Sequence, residues 1–121
     1  MKKIYLYGNW KMNMLPEEGE EFCRSLADRI SGRLYGSDCV DICLFPPFLA
    51  IPAVLKALPA GPVSAGAQDG YFEDRGAFTG AVSMAMVRSV GCSHVLVGHS
   101  ERRHIFGETD EVVAMKLKKA L

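Results

Sequence analysis

Val95-Leu96-Val97-Gly98-His99-Ser100-Glu101-Arg102-Arg103 is the stretch from which the rest of the chain can be read. Three apolar residues and a glycine predict a strand buried on both faces, because such strands form continuous apolar runs rather than alternating ones. A histidine, a serine and a Glu-Arg-Arg cluster follow where a loop or helix should begin. Ligands of parallel α/β proteins collect at the carboxyl ends of strands, which makes His99 a candidate functional residue. A helical turn starting just after it would disfavour the imidazolium, leaving a neutral ring able to donate a hydrogen bond.

Working outward, strands and helices alternate. Ile4 to Gly8 is a first strand, delivering Asn9-Trp10-Lys11. Alternation along an extended segment would put Asn9 and Lys11 on one side and Trp10 on the other. An amide and an ammonium converging there would make an anion site, but an Asn-x-Lys triplet on its own more often marks a solvated turn. Pro16 suits a first helical position, with Glu17, Glu18, Glu20 and Glu21 complementing the helix start. Phe22, Leu26, Ile30 and Leu34 supply an apolar stripe widened by Cys23 and Ala27, and Gly36 can end it. Val40 to Phe45 is a second strand stopped by Pro46-Pro47. Leu49 to Leu58 is a short apolar helix ended by Pro59-Ala60-Gly61-Pro62, and Val63 to Ala67 is a small-residue third strand.

The longest connection, Tyr71 to Gly80, carries one tyrosine and two phenylalanines. It is either a contact surface or a loop packed on its own domain. Ser83 caps a helix over Met84 to Val90, closed by Gly91. After the organising strand and a turn through Ile105-Phe106-Gly107, a last helix starts at Thr109. Asp110 and Glu111 stand at its start and Lys116, Lys118 and Lys119 at its end. Four strand-helix units predict a parallel sheet with right-handed crossovers in a single domain, 1–121.

Composition bounds the function. The 121 residues carry 14 acidic and 14 basic side chains, and 49% are apolar. That argues against disorder, nucleic-acid binding and a membrane surface. Ile4 to Tyr7 is too short an apolar core for a signal peptide behind Met1-Lys2-Lys3, and no run approaches bilayer length. Four scattered cysteines without a C-x-x-C pair suit a reducing compartment, so a cytoplasmic location is expected. Cys92, His94, His99 and His104 lack the tight paired spacing of metal sites, so neither a metal nor another cofactor is expected.

Gly8-Asn9-Trp10-Lys11-Met12-Asn13, Ala67-Gln68-Asp69, Gly76-Ala77-Phe78-Thr79-Gly80 and Val97 to Glu108 are similar, in order and spacing, to triosephosphate isomerase, over essentially the whole chain. The resemblance implies interconversion of dihydroxyacetone phosphate and glyceraldehyde 3-phosphate, a step of glycolysis and gluconeogenesis. It implies that Asn9 and Lys11 bind substrate, with Lys11 also catalytic, and that His99 is the neutral electrophile. The family is itself a standard illustration of a histidine tuned in this way, so that role is the family's. Glu101, with Ser100 beside it, resembles the acid that supports the lysine. Arg102 and Glu108 resemble a structural ion pair, and Phe78 and Thr79 resemble the tip of the loop that contacts a neighbouring subunit. Ala81 stands where the family usually has glutamate, and Met84 where it usually has proline.

The family fold is an eight-stranded (β/α)₈ barrel, and four units make a (βα)₄ half of it. The glutamate base, the closing lid and the later phosphate loops have no counterpart in these residues. The resemblance therefore implies an amino-terminal half-barrel that is nearly inactive alone, binds triose phosphate weakly or not at all, and is completed by a carboxyl-terminal half. The alternative is a non-catalytic half that self-assembles into a homodimer or higher oligomer. Uncovered inner faces, such as those of Val40 to Phe45 and Val95 to Val97, would drive either association. Some ~400 Å² of apolar surface left in water forgoes ~10 kcal/mol.

Overall fold

The structure, a computed structural model, describes residues 2–33, 38–59 and 61–121; Met1, Leu34, Gly36 and Ala60 lie outside the described residues. Four parallel strands, β1 (Ile4–Asn9), β2 (Val40–Phe45), β3 (Val63–Ala67) and β4 (His94–Val95), lie side by side in sequence order. The register pairs Asn9 with Phe45 and Ala67 with Val95, so the carboxyl ends of all four strands come out on one rim. Between and after them run α1 (Pro16–Ile30), α2 (Ile51–Ala57), α3 (Met84–Ser89), α4 (Ser100–His104) and α5 (Asp110–Ala120), with a 3₁₀ turn at Phe48–Ala50 leading into α2.

The sheet is curled. Strands spaced about 4.8 Å apart would put β1 and β4 about 14 Å from each other in a flat sheet. Instead Tyr7 Oη lies 3.2 Å from His94 Nε2, and the two rings meet edge to face at 5.4 Å between centroids. Phe45 fills the hollow beneath them, packed against both rings. On the convex side Ile42, Leu44, Val63 and Ala65 meet Cys23 of α1 and Val54 of α2 in one apolar cluster. A second cluster joins Ile51, Ala67, Val87 and Cys92 beneath α3. The alternation predicted the parallel sheet, and its curl makes it the (βα)₄ half-barrel that the resemblance implied.

Close approach explains two glycines. A Cβ on Gly19 would stand 3.1 Å from both the Trp10 ring and Val54, close enough that a neighbour would have to give by a few tenths of an ångström. The glycine thus lets α1 seat closely against Trp10 and α2. On β3, a Cβ on Gly66 would meet Phe45 Cε1 at 2.5 Å and the His94 carbonyl oxygen at 2.8 Å. The Phe45 ring is boxed in and the other obstacle is backbone, so neither can retreat cheaply. Gly66→Ala is expected to destabilise the fold by ~1–3 kcal/mol, the usual cost of overpacking. Urea unfolding of the purified variant checks this, and an unchanged midpoint would contradict the packing described.

Several expectations need correction. The organising strand is short and only half-buried. Its ladder is His94–Val95, and Leu96 adds one further bond, from its N–H to the Ala67 carbonyl at 2.9 Å. Among the described residues β4 has a strand on one side only, so it cannot be buried like a central strand. The inner face of Val40 to Phe45 is covered, because the Tyr7 and His94 rings lie over Phe45. The uncovered strand is β1, where Ile4, Tyr5, Leu6 and Tyr7 are between 47% and 59% exposed. The buried stripe of α1 centres on Gly19 and Cys23, leaving Phe22 part-exposed against Trp10. Leu49 is exposed on the 3₁₀ turn, and α2 proper begins at Ile51.

Candidate active site at the carboxyl ends of the strands

Asn9 ends β1, and the chain then turns rather than extending. Lys11 has φ +55°, in the left-handed region that side chains disfavour. Its N–H donates to Asn9 Oδ1 at 2.9 Å, and its carbonyl accepts from Gln68 Nε2 at 2.8 Å. Asn9 and Lys11 thus share one side through a side-chain-closed turn, not through the strand alternation expected. Trp10 does go to the opposite side, onto α1.

His99 is the N-cap of α4, as the helix-start argument required. Its Nδ1 accepts from the Glu101 N–H at 3.1 Å. That bond uses the Nδ1 lone pair and leaves Nε2 as the place for the ring proton. Glu101 Oε2 is 3.8 Å from the same Nδ1, too far to hydrogen-bond it. Glu101 Oε1 lies 2.8 Å from Lys11 Nζ, so one carboxylate bridges the lysine of the first unit and the helix of the fourth. The hydrogen bond from Lys11 holds the Glu101 carboxyl below its ordinary value, against a smaller opposing effect of desolvation. Asn9, Lys11, His99 and Glu101 all line one cavity of about 280 Å³, with Met12, Phe48 and Phe106 among its apolar walls. Ser100, the first residue of α4, is exposed.

Arg102 Nε donates to Glu108 Oε1 at 2.8 Å, the ion pair expected. The pair is part of a larger network that sequence reasoning missed. Lys116 Nζ donates to Asp69 Oδ1 at 2.8 Å and to Glu108 Oε1, and Arg102 also reaches Asp69 at 3.5 Å. Lys116 is 3% exposed, so it is a buried cross-link and not a solvated charge at a helix end. One available signal was its spacing: Val112, Val113 and Lys116 recur at helical intervals on one face of α5. Burial alone would raise the Glu108 carboxyl, but hydrogen bonds from Lys116 and Arg102 outweigh it and hold it below its ordinary value. Gln68 and Asp69 stand at the end of β3 by the same strand-end rule that singled out His99.

The aromatic loop packs on itself. Tyr71 stacks on Phe72 at 4.2 Å and meets Phe78 at 4.8 Å, while its N–H donates to the Val82 carbonyl at 2.7 Å. Phe78 and Thr79 remain exposed at the tip, outside the strand-end cavity. Cys23, Cys43 and Cys92 are buried, and burial pushes the Cys43 thiol up to about 11. Among the described residues, no helix is long and apolar enough to cross a membrane.

A curled set of four parallel βα units, with Asn9, Lys11, His99 and Glu101 lining one cavity at the carboxyl rim, defines half of a βα-barrel, a fold whose ligand sites lie on that rim. The family model for triosephosphate isomerase matches residues 4–121, and the chain belongs to that family. It is 45% identical over 123 aligned residues to the triosephosphate isomerase of Carboxydothermus hydrogenoformans, covering 99% of this chain and 46% of the relative. It is 44% identical to that of Endomicrobium trichonymphae, covering 100% and 47% respectively. The chain therefore spans about half the length of the curated relatives it matches.

Proposed function

We propose that this chain supplies the lysine and the electrophilic histidine of a triosephosphate isomerase, which interconverts dihydroxyacetone phosphate and glyceraldehyde 3-phosphate in a reducing, cytoplasmic compartment. The observation that carries the reading is the meeting of Asn9, Lys11 and His99 in one cavity, where Glu101 joins Lys11 to His99 and the Lys11 N–H donates to Asn9. In this reading the Lys11 ammonium draws the substrate phosphate and the charge of the enediolate, with Asn9 beside it. His99 donates its Nε2 proton to the substrate carbonyl as a carboxylate removes a proton from the adjacent carbon. No carboxylate among these 121 residues matches the family's base; in this reading a carboxyl-terminal half, on the same polypeptide or on another, supplies it.

A positioned base contributes ~10²–10⁴-fold, so the 121-residue chain alone is expected to show residual turnover at most. Mixing it with a chain carrying the remaining half of the barrel, and assaying both in material free of host isomerase, tests the reading. Turnover appearing only in the mixture supports it. Full turnover by this chain alone, or none from a folded complex, overturns it.

The exposed β1 strand favours a second reading, in which the half self-associates without turnover. A strand at the edge of the sheet, with apolar side chains about half exposed on both faces, is a template for pairing. Light scattering across a dilution series is expected to give a dimer or larger species, with unfolding that depends on concentration. Monomer mass with concentration-independent unfolding would refute self-association.

A further inference from the structure

The Lys11 backbone is held at both ends in a conformation it would not choose. Asn9 Oδ1 takes its N–H, but Asn9 is two residues away and moves with the same turn. The clamp from outside is Gln68. Its amide nitrogen carries two protons and donates both, one to the Lys11 carbonyl and one to the Phe45 carbonyl, each at 2.8 Å. Phe45 is the last residue of β2, and its carbonyl also takes the Trp10 N–H at 3.0 Å. One side chain from the end of β3 thereby fastens the turn after β1 to the end of β2.

We propose that Gln68 is a positioning residue that holds Lys11 in its left-handed conformation and so aims the Lys11 ammonium at Glu101 and the strand-end cavity. The importance of this for chemistry rests on the role proposed above for Lys11; the conformational claim stands without it. Left-handed backbone at a non-glycine residue persists only where surrounding bonds over-determine it. Without the Gln68 donor, the Lys11 peptide is free to rotate to an ordinary region. That rotation swings the Cα–Cβ bond and carries Nζ away from the Glu101 carboxylate, now 2.8 Å distant.

Gln68→Met removes the donors at nearly constant volume and adds no charge. The readout is the titration of the Glu101 carboxyl carbon by NMR in the full 121-residue chain, beside a Lys11→Met reference that removes the ammonium altogether. The bond from Lys11 holds that carboxyl low, so Gln68→Met is expected to move its midpoint upward, at least half-way to the Lys11→Met value. A filler that only packs the strand end would leave the midpoint alone. A folded Gln68→Met protein whose Glu101 titrates as in the unsubstituted chain overturns the proposal. Should Gln68→Met fail to fold, the through-bond coupling between Gln68 Nε2 and the Lys11 carbonyl carbon decides in the unsubstituted protein. A measurable coupling supports the clamp, and its absence removes it. None of these readouts depends on turnover, so an inactive site would leave the inference standing and a wrong inference would leave the isomerase reading standing.

Discussion

Lys11→Ala and His99→Ala are each expected to remove most of the turnover of the completed isomerase while leaving it folded. Losing one preorganised group aimed at developing charge lowers the rate ~10²–10³-fold, and losing a general acid ~10²–10⁴-fold. Neither side chain holds the fold together. Lys11 and Glu101 are paired but about half exposed, and exposed ion pairs contribute little to stability. Alanine at 11 inherits the same left-handed backbone and adds no new strain. At 99 the loss is the N-cap acceptor of α4, worth ~1 kcal/mol. The two effects therefore separate: kcat should fall by orders of magnitude while the urea midpoint moves little. The measurement is steady-state kinetics on the complemented enzyme, with unfolding recorded on the same preparations. Near-normal kcat in either variant would show that the site has been assigned to the wrong residues.

Local pattern was enough for much of the fold. β2 and β3 run over the residues expected, because short apolar runs bounded by proline leave little choice of ends. Ser83 and Thr109 cap their helices as expected, accepting from the N–H groups of Met86 and Val112. Within the site, the helix start behind His99 was legible because it lies in the same short stretch, whereas the Arg102–Glu108 pair was expected from the family resemblance and not from spacing. What failed was anything decided at long range. Lys116 finds Asp69 across 47 positions and Gln68 finds Lys11 across 57, and no periodicity carries that information. The length of β4 and the exposure of β1 depend on which strands flank them, so an apolar run alone overstates burial. The turn at Lys11 was missed because its left-handed backbone is imposed by Asn9 and Gln68, whereas lysine itself has no preference for it.

Lys116→Met is expected to destabilise the fold by ~3–5 kcal/mol, the usual result of removing one partner from a buried ion pair. Stabilities of single domains are ~5–15 kcal/mol, so this one change consumes a large share. The ammonium is buried between Asp69 and Glu108, and both carboxylates are mostly shielded from water. Without Lys116, among the described residues, Arg102 is the cation left to them, at 2.8 Å from Glu108 and 3.5 Å from Asp69. Glu108 has least room to adjust, because its Oε2 is buried without a hydrogen-bond partner already. The pH dependence follows from the same group. Its carboxyl is held below the ordinary 4.5 in the folded chain. The stability it contributes is therefore complete above 4.5 and is lost as pH falls through the lower folded value. Lys116→Met should shrink that acid-side loss, since the native carboxylate is no longer favoured over the unfolded one. Adding Glu108→Gln to Lys116→Met should recover part of the stability, because an uncharged amide is cheaper to bury than an unpaired charge. Urea unfolding at neutral pH and at successively lower pH, on the single and double variants, measures all three outcomes. A Lys116→Met protein as stable as the unsubstituted chain would mean that water, and not Asp69 and Glu108, solvates the ammonium.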